Sequence, residues 1–300
     1  MSSLNQLEVV DFDNIADAVE VLSSVTSPAA PLRRLVETVR DNALLYPEVE
    51  VGKGELKEAV AKAAEASEGA TGREQVAGIA RAFAPMSELL VAKGDQPPYL
   101  DATLSAVGDL YNLMKSVHDS PERGKTALNL VLDRFNLRGE DPIGNLQRVA
   151  GGLPEPLDQQ VRKLAEESFQ VLLIEALREL ERRWDAEVYG FYAQRLAGRY
   201  PFNPASRNDA SLEDFAAFFG PQGRLQQFRD QYLKLFFEDN LDALYSERRG
   251  GYLVRTDVLA QLETANPFTQ RPFTGFVLPR TLLQDAPGRL AGQTPKPGGV

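Results

Sequence analysis

The sequence predicts a mainly α-helical protein: a multi-helix bundle in two halves, with one long spine helix and a short irregular or β-containing C-terminus. Apolar residues recur every three or four positions through most of residues 14–240, which is the helical period. Prolines and glycines divide that pattern into segments of helical length. Segment 157–196 contains no proline. Thr, Phe, Val and Pro concentrate at 267–279, which favours extended chain or short strands there.

The first half predicts a series of short helices. One covers Asn14–Leu22, and Pro31 begins the next, because the first turn of a helix does not need the N–H that proline lacks. Residues 56–66 are rich in Ala, Glu and Lys, which favours an exposed helix. An apolar stripe from Tyr99 to Val117 predicts about five helical turns. Further helices are predicted at 76–83, after Ser120 and Pro121, and from Pro142.

The domain organisation follows from the turn-forming residues. Glycines and prolines at 151–156 predict a hinge between the two halves. We therefore expect an N-terminal helical subdomain at 1–150, a helical core at 151–250, and the start of a β-type region or a flexible tail at 251–300. Within the last region, Leu253–Leu262 fits either a helix or a pair of strands.

The spine helix is predicted over Leu157–Leu196. Without a break it would be about 60 Å long, which is long for a globular helix and suggests a surface on which neighbouring elements dock. Gly190 is the position at which we expect a kink.

The most aromatic stretch, Trp184–Phe237, begins in the last part of that helix and continues beyond it. Pro201 and Pro204 exclude a helix just after Gly198, and Ser211 with Asp214 forms a capping box for the next one. Gly220 and Pro221 then end it, and a further apolar stripe begins at Leu225. Each buried ring contributes roughly 1.5–3 kcal/mol. We expect these rings to bury one another as a structural core and not to line a chemical site.

Composition limits the functional classes. Hydrophobic residues make up 43% and charged residues 25%, as in ordinary globular proteins, and the net charge of −10 disfavours non-specific binding to nucleic acid or anionic membranes. The absence of cysteine excludes disulfides, thiolate nucleophiles and Cys-ligated zinc. No apolar run is long enough to span a membrane, and the first residues do not resemble a signal peptide.

Two short motifs resemble parts of chemical sites. Gly124, Lys125 and Thr126 match the end of a phosphate-binding P-loop, but Asp119 occupies the position of its first glycine, so we interpret them as the first turn of a helix. His118 is the single histidine, and no nucleophile elbow accompanies it. We expect a surface or capping role for it near a helix C-terminus.

Clusters of charged residues allow two interpretations. Glu166 with Glu167, or Glu175 with Glu179, could act as an acid–base pair. Because Arg178, Arg182 and Arg183 lie three or four residues along the same helix, ion pairing is the favoured interpretation. Arg199 is predicted to pair with Asp209 or Asp214 and to anchor the turn. We therefore expect no catalytic, cofactor-binding or metal-ligating residues, and no cofactor.

Three motifs carry a family resemblance. RLAGRYPF at 195–202 and DASLEDFAAFFGPQGRLQQF at 209–228 resemble the signature of the IcmF/TssM family of type VI secretion. LQRVAGGLPEPLDQQVRKLAEESFQVLL at 146–173 is similar to the helical periplasmic region of that family. The resemblance covers roughly Asp11–Leu241.

The resemblance implies a structural function. It implies a periplasmic scaffold in the trans-envelope membrane complex of type VI secretion, acting by protein–protein interaction and not as an enzyme. The implied partners are an outer-membrane lipoprotein, a second inner-membrane component and further copies of the same chain. In the family the lipoprotein contact lies mainly in a β region that follows the helices. The implied location is the periplasm, as a piece of a protein anchored in the inner membrane whose anchoring helices lie elsewhere.

Two other classes stay open at this point. One is a carboxylate-based hydrolase with its cleft at the predicted hinge, for which a deep pocket with convergent carboxylates would be the mark. The other is a cytosolic helical adaptor unrelated to secretion.

Overall fold

The computed structural model describes residues 11–27, 31–43, 84–92, 94–234, 255–264 and 276–283. Within these ranges the protein is mainly helical, as predicted, and contains no β-strand. The helices are α1 Ile15–Thr26, α2 Pro31–Ala43, α3 Tyr99–His118, α4 Arg123–Phe135, α5 Pro142–Ala150, α6 Leu157–Arg183, α7 Gly190–Arg195, α8 Leu212–Phe219, α9 Arg224–Phe228 and α10 Thr256–Thr264. The predicted helices at 56–66 and 76–83 lie outside the described residues.

The chain divides into two compact units. The first contains residues 1–116 and 141–169, and the second contains 117–140 and 170–300. Helices α3 and α6 each begin in the first unit and continue into the second. The predicted three-region division, with its hinge at 151–156, stays a prediction.

Polar caps and apolar faces build the first unit. Asn14 begins α1 by accepting the amide protons of Ala16 and Asp17, at 2.8 and 3.2 Å. The Tyr99 hydroxyl donates to the carbonyl of Val149 at 2.7 Å, which joins the start of α3 to the end of α5. The buried core of this unit includes Ala18, Leu22, Val36, Leu100, Val107, Leu110, Met114, Ile143 and Leu146.

The second unit is organised around the C-terminal part of the spine helix. The helix runs from Leu157 through α6, a π-helical segment at Trp184–Tyr189 and α7 to Arg195, so the predicted long helix is confirmed. In the π-helical segment the backbone bonds span five residues, and the amide of Gly190 donates to the carbonyl of Asp185. A second π-helical segment, Arg229–Leu233, follows α9.

The π-helical segment explains an unusual spacing. Leu180, Trp184, Val188, Tyr192 and Leu196 are all buried and lie four residues apart. On a regular α-helix such a row would drift by about 40° at each step, or roughly 160° in all. The wider π turn opposes that drift and keeps all five side chains directed at one core.

Local signals at the turns agree with the structure in most places. Ser211 accepts the Asp214 amide proton at 3.0 Å and begins α8, and Gly220 ends it, as predicted. Helix α4 begins at Arg123, slightly later than the predicted start at Ser120 and Pro121. Of the C-terminal region, Thr256–Thr264 is helical and 276–283 is extended chain.

Candidate functional site

Aromatic side chains from five parts of the second unit make two sets of ring contacts, which we together call the aromatic core; the smaller set is Trp184, Phe228 and Tyr232. Tyr192 lies at the centre of the larger set, with its ring centroid 5.8 Å from Phe202, 5.9 Å from Phe218 and 5.7 Å from Phe276. Edge-to-face and offset contacts at these distances are favourable beyond the area they bury. The members are Trp184, Phe191, Tyr192, Phe202, Phe215, Phe218, Phe219, Phe228, Tyr232 and Phe276.

The rings of the aromatic core face inward, as the sequence predicts. Trp184 and Phe218 are fully buried, and Tyr192, Phe202 and Phe228 are nearly so. Burial raises the pKa of the Tyr192 hydroxyl, which therefore remains a neutral hydrogen-bond donor, and it donates to the carbonyl of Phe276 at 2.8 Å. These described rings thus pack within the unit and fix its local shape; the small pocket beside Phe219, which Arg229 also lines, has a volume of only about 10 Å³.

The turn after α7 is fastened to the aromatic core by Phe202. Its ring stacks on Phe219, with centroids 5.8 Å apart and planes 12° from parallel. Main-chain bonds close the turn, because Tyr200 donates to the Asn208 carbonyl at 2.9 Å and accepts from the Ala210 amide at 2.9 Å. The Tyr200 side chain is 51% exposed, so this turn presents an aromatic ring to solvent.

The predicted ion pair of Arg199 is wrong. Among the described residues, the Arg199 side chain contacts neither Asp209 nor Asp214 within ion-pair distance. Main-chain bonds hold the turn instead: the Arg199 amide donates to Leu196, and its carbonyl accepts from the Asn203 amide at 2.8 Å. These bonds use atoms that every residue has, so no charge pair is needed.

An extended segment, Phe276–Leu283, which we call the strap, lies against the spine helix. The Trp184 indole N–H donates to the carbonyl of Pro279 at 3.2 Å, and Tyr192 bonds to Phe276 as described above. The Glu181 carboxylate accepts the amide protons of Leu282 and Leu283 at 3.0 Å. Helix side chains therefore satisfy strap main-chain atoms that a strand neighbour would otherwise pair.

Sequence reasoning missed the strap. It predicted extended chain at 267–279 but not its position against the helix. The sequence shows no alternation there, because Phe276, Val277 and Leu278 are all apolar, whereas the structure buries Phe276 and Leu278 and exposes Val277. The carboxylate that binds the strap gave no signal either, because Glu181 lies in a helix with many other acids.

Two neighbouring carboxylates of the spine helix have opposite electrostatic surroundings. Burial raises the pKa of Glu181, and its bonds from the Leu283 and Leu282 amides oppose that rise. Hydrogen bonding from Arg182 lowers the pKa of Glu179, with Arg183 assisting. Glu179 is buried and lies 2.8 Å from both guanidinium groups, and Arg183 also donates to the Tyr232 hydroxyl.

These contacts confirm the predicted ion pairing. Arg178 contacts Glu175 at 2.5 Å on the same helix. Glu167 accepts the amide proton of Phe12 at 3.4 Å, and Glu166 is exposed. The four carboxylates considered as acid–base candidates are thus distributed along one helix in ion pairs, a backbone contact and solvent.

The apparent phosphate motif is the first turn of α4. Lys125 is exposed and pairs with Glu122 at 3.2 Å, and the Thr126 hydroxyl bonds to the Ser120 hydroxyl at 2.8 Å. A Cβ at Gly124 would lie 3.0 Å from the Cβ of Glu179, so the glycine permits close packing of α4 on α6. His118 ends α3 with its Nδ1 3.0 Å from the Asp119 carboxylate, near the helix terminus as predicted.

The first unit contains a cavity of about 500 Å³ near residues 151–154. Among the described residues that line it, Glu88 is the one carboxylate, whereas a carboxylate-based hydrolase of the kind considered above needs two. Within the described ranges no cluster of His, Cys, Asp and Glu could hold a metal ion. The lining residues are Pro85, Glu88, Leu89, Val91, Gln96, Pro97, Tyr99, Gly151, Gly152, Leu153 and Pro154.

Comparison with known proteins identifies relatives of this arrangement. A model of the type VI secretion protein IcmF helical domain matches residues 175–264, which include the π-helical segment, the aromatic turn and α8–α10. The chain is 26% identical over 253 residues to the type VI secretion system component TssM1 of Pseudomonas aeruginosa. That alignment covers 78% of this chain and 22% of the relative, so the chain spans about a fifth of the relative's length.

A solved structure supports the fold. It is titled as a type VI secretion system membrane core complex, and the match has a TM-score of 0.62 with 19% identity. The match covers 87% of this chain and 51% of the solved chain. Among the described residues no helix is both long and apolar enough to cross a bilayer. The domain match, the curated relative and the shared fold together confirm the resemblance to the IcmF/TssM family of type VI secretion that the three sequence motifs carry.

Proposed function

We propose that the chain is a structural scaffold: the periplasmic part of the type VI secretion trans-envelope membrane complex, acting by protein–protein interaction. The observation that carries the proposal is the aromatic core around the π-helical segment. Ten aromatic rings make stacked, tilted or edge-to-face contacts there, and charged groups beside them are held within the fold: Arg183 pairs with Glu179 and donates to Tyr232, and Arg224 lies over the Phe191 ring. Such an arrangement stabilises one shape, which supports a structural role.

The partners we propose are an outer-membrane lipoprotein, a second inner-membrane component and further copies of the chain. The membrane core complex named for the structural relative supports partnership with other components of that assembly. The proposed location is the periplasm, within a protein anchored in the bacterial inner membrane. We propose further that a C-terminal β-type region contributes to the lipoprotein contact, as the family resemblance implies.

The enzyme alternative receives less support from the geometry. A cleft at the predicted hinge would need two carboxylates facing one another. In the part of the chain that the structure describes, Glu88 is the one carboxylate that lines the cavity near residues 151–154. The four helix carboxylates do not line this cavity. We therefore favour the scaffold over a hydrolase.

Fractionation of cells that express the full gene tests the location. Protease added to intact cells should leave the region recognised by an antibody against this chain uncut, and protease added after outer-membrane opening should cut it. A cytoplasmic marker should stay intact in both samples. Protection after outer-membrane opening would contradict the periplasmic scaffold and favour the cytosolic adaptor.

A further inference from the structure

The strap is held mainly through its main chain. Glu181, Trp184 and Tyr192 bond to four of its backbone groups: the carbonyls of Phe276 and Pro279 and the amides of Leu282 and Leu283. On the other side, the Arg255 amide donates to the Leu282 carbonyl at 3.0 Å. Side chains that bond to an extended backbone form the kind of groove that binds peptides in other proteins.

Apolar side chains of the strap insert between these bonds. Phe276 and Leu278 are buried, whereas Val277 between them is 64% exposed. The Phe276 ring lies 5.3 Å from Phe219 and 6.0 Å from Phe202, so it completes the aromatic core. Removing the strap would open that core to water. An empty groove is therefore unfavourable, and a core without its own strap should bind another of the same sequence.

The connection to the strap is long enough to reach another molecule. Helix α10 ends at Thr264 and the strap begins at Phe276, which leaves eleven residues, 265–275, between them. Fully extended, such a connection spans at most about 40 Å. Exchange of an identical segment between two copies keeps every strap contact and changes only the connection, so its free-energy cost is low.

We propose that the strap is exchanged between copies, so that Phe276–Leu283 of one chain occupies the groove of a second copy. The groove of the second copy is lined by its Glu181, Trp184, Tyr192 and Arg255. The exchanged strap would be a contact through which copies of the chain associate. In that respect the inference rests on the proposed function, which includes self-association. High local concentration in an assembly would favour the exchanged form, because association gains from effective concentration.

Cross-linking tests the proposal, because the chain has no native cysteine. Arg280 of the strap lies 3.1 Å from Asp185 of the helix, and both side chains are substantially exposed. Asp185→Cys and Arg280→Cys are made in separate full-length chains with different affinity tags and are co-produced, so that both fold together. A short bis-maleimide then joins cysteines that lie near each other, and mass spectrometry identifies the linked peptides.

The exchanged strap predicts a link between chains. The yield of dimers cross-linked between Cys at position 185 of one chain and Cys at position 280 of the other should be high. The comparison pair is Glu213→Cys with Arg280→Cys, because Glu213 is exposed and has no contact with the strap among the described residues. Its dimer yield should be several-fold lower.

The double variant Asp185→Cys with Arg280→Cys in one chain is the geometric control. A link within that chain, with no excess of the inter-chain dimer, would overturn the proposal. Failure of the double variant to link at all would show that the strap does not lie on this helix and would overturn it too. The inter-chain and intra-chain links are both measured on purified protein, so they do not depend on the proposed role in secretion. The fractionation experiment tests that role separately.

Discussion

Phe218 and Leu212 belong to the same short helix but have opposite surroundings. Phe218 is fully buried and contacts Phe191, Tyr192 and Phe219, whereas the Leu212 side chain is 89% exposed. The two positions therefore separate the effect of the aromatic core from the effect of apolar character alone.

Replacing Phe218 with alanine should lower the free energy of unfolding by about 3–5 kcal/mol, because it removes a buried ring and leaves a cavity. Leu212→Ala should change it by less than about 0.5 kcal/mol. Denaturant titration followed by far-ultraviolet circular dichroism measures both. Equal effects at the two positions would contradict the aromatic core as the source of stability.

The carboxylate of Glu179 links stability to pH. Because its pKa is lowered in the folded protein, its contribution is fully present above the ordinary carboxyl pKa of about 4.3 and is lost as pH falls through the lowered value. Glu179→Gln should lower the free energy of unfolding at neutral pH by about 1–3 kcal/mol. The difference from the natural protein should shrink in acid.

A neighbouring ion pair provides the control for that measurement. Glu175 pairs with Arg178, whose side chain is largely in solvent, so Glu175→Gln should cost at most about 1 kcal/mol. Denaturant titrations at several pH values follow both variants. A difference for Glu179→Gln that stays constant between neutral and acid pH would contradict the assignment.

At the scale of the element, helices and caps were predictable and the π-helical segment was not. Asn14, Pro142 and Ser211 all begin helices as expected, because capping depends on residues a few positions apart. Gly190 was the predicted position of a kink, whereas the structure has a π-helical segment that ends just before it. The four-residue spacing from Leu180 to Leu196 was the signal, since it fits neither an α-helix nor a strand.

Contacts between distant segments set the limit of prediction. The strap depends on Glu181, Trp184 and Tyr192, which are roughly 84–102 residues from their partners in the chain. The prediction for Arg199 failed for the opposite reason. Acids close to it in the sequence suggested an ion pair, whereas main-chain hydrogen bonds hold the turn without one. The aromatic core itself was predictable, because burial of so many rings has few alternatives.

Deleting Ala186, an exposed residue within the π-helical segment, tests its role. The deletion would give a regular α-helix in which seven residues, or about 700°, separate Trp184 from Tyr192, so the two side chains stay within roughly 20° of one face. We therefore expect the deletion to cost at most about 1–2 kcal/mol. Deletion of Arg178, an exposed residue in the regular part of the same helix, is the matched comparison: it would rotate the following residues by about 100° and should cost several kcal/mol. Thermal unfolding provides the measurement, and equal losses from the two deletions would show that the π turn does not set the register of the core.

At the scale of the whole molecule, a scaffold and an enzyme differ in what they tolerate. A scaffold depends on shape, so carboxylates outside the aromatic core can lose their charge. An enzyme built on carboxylates cannot lose the charged member of its pair. The intact membrane complex is the proper setting for that distinction, because this chain spans about a fifth of its curated relative.

Glu88→Gln and Glu166→Gln, introduced together in the full gene, should leave type VI secretion within about twofold of the natural level, because neither change alters the aromatic core. Phe218→Ala in the same gene should reduce secretion and assembly together. Secreted protein in the medium and the purified membrane complex are the two measurements. Loss of secretion with an intact complex in the double glutamine variant would favour the enzyme.

The direction of the strap has a mechanical consequence. Its first residue bonds near Tyr192 and its last near Glu181, so the strap runs antiparallel to the helix. A pull on the chain after Leu283 along the helix axis would load all of these bonds together, in shear. A pull perpendicular to the helix would break them one after another, beginning at Glu181. The attachment should therefore withstand a larger force along the helix than away from it.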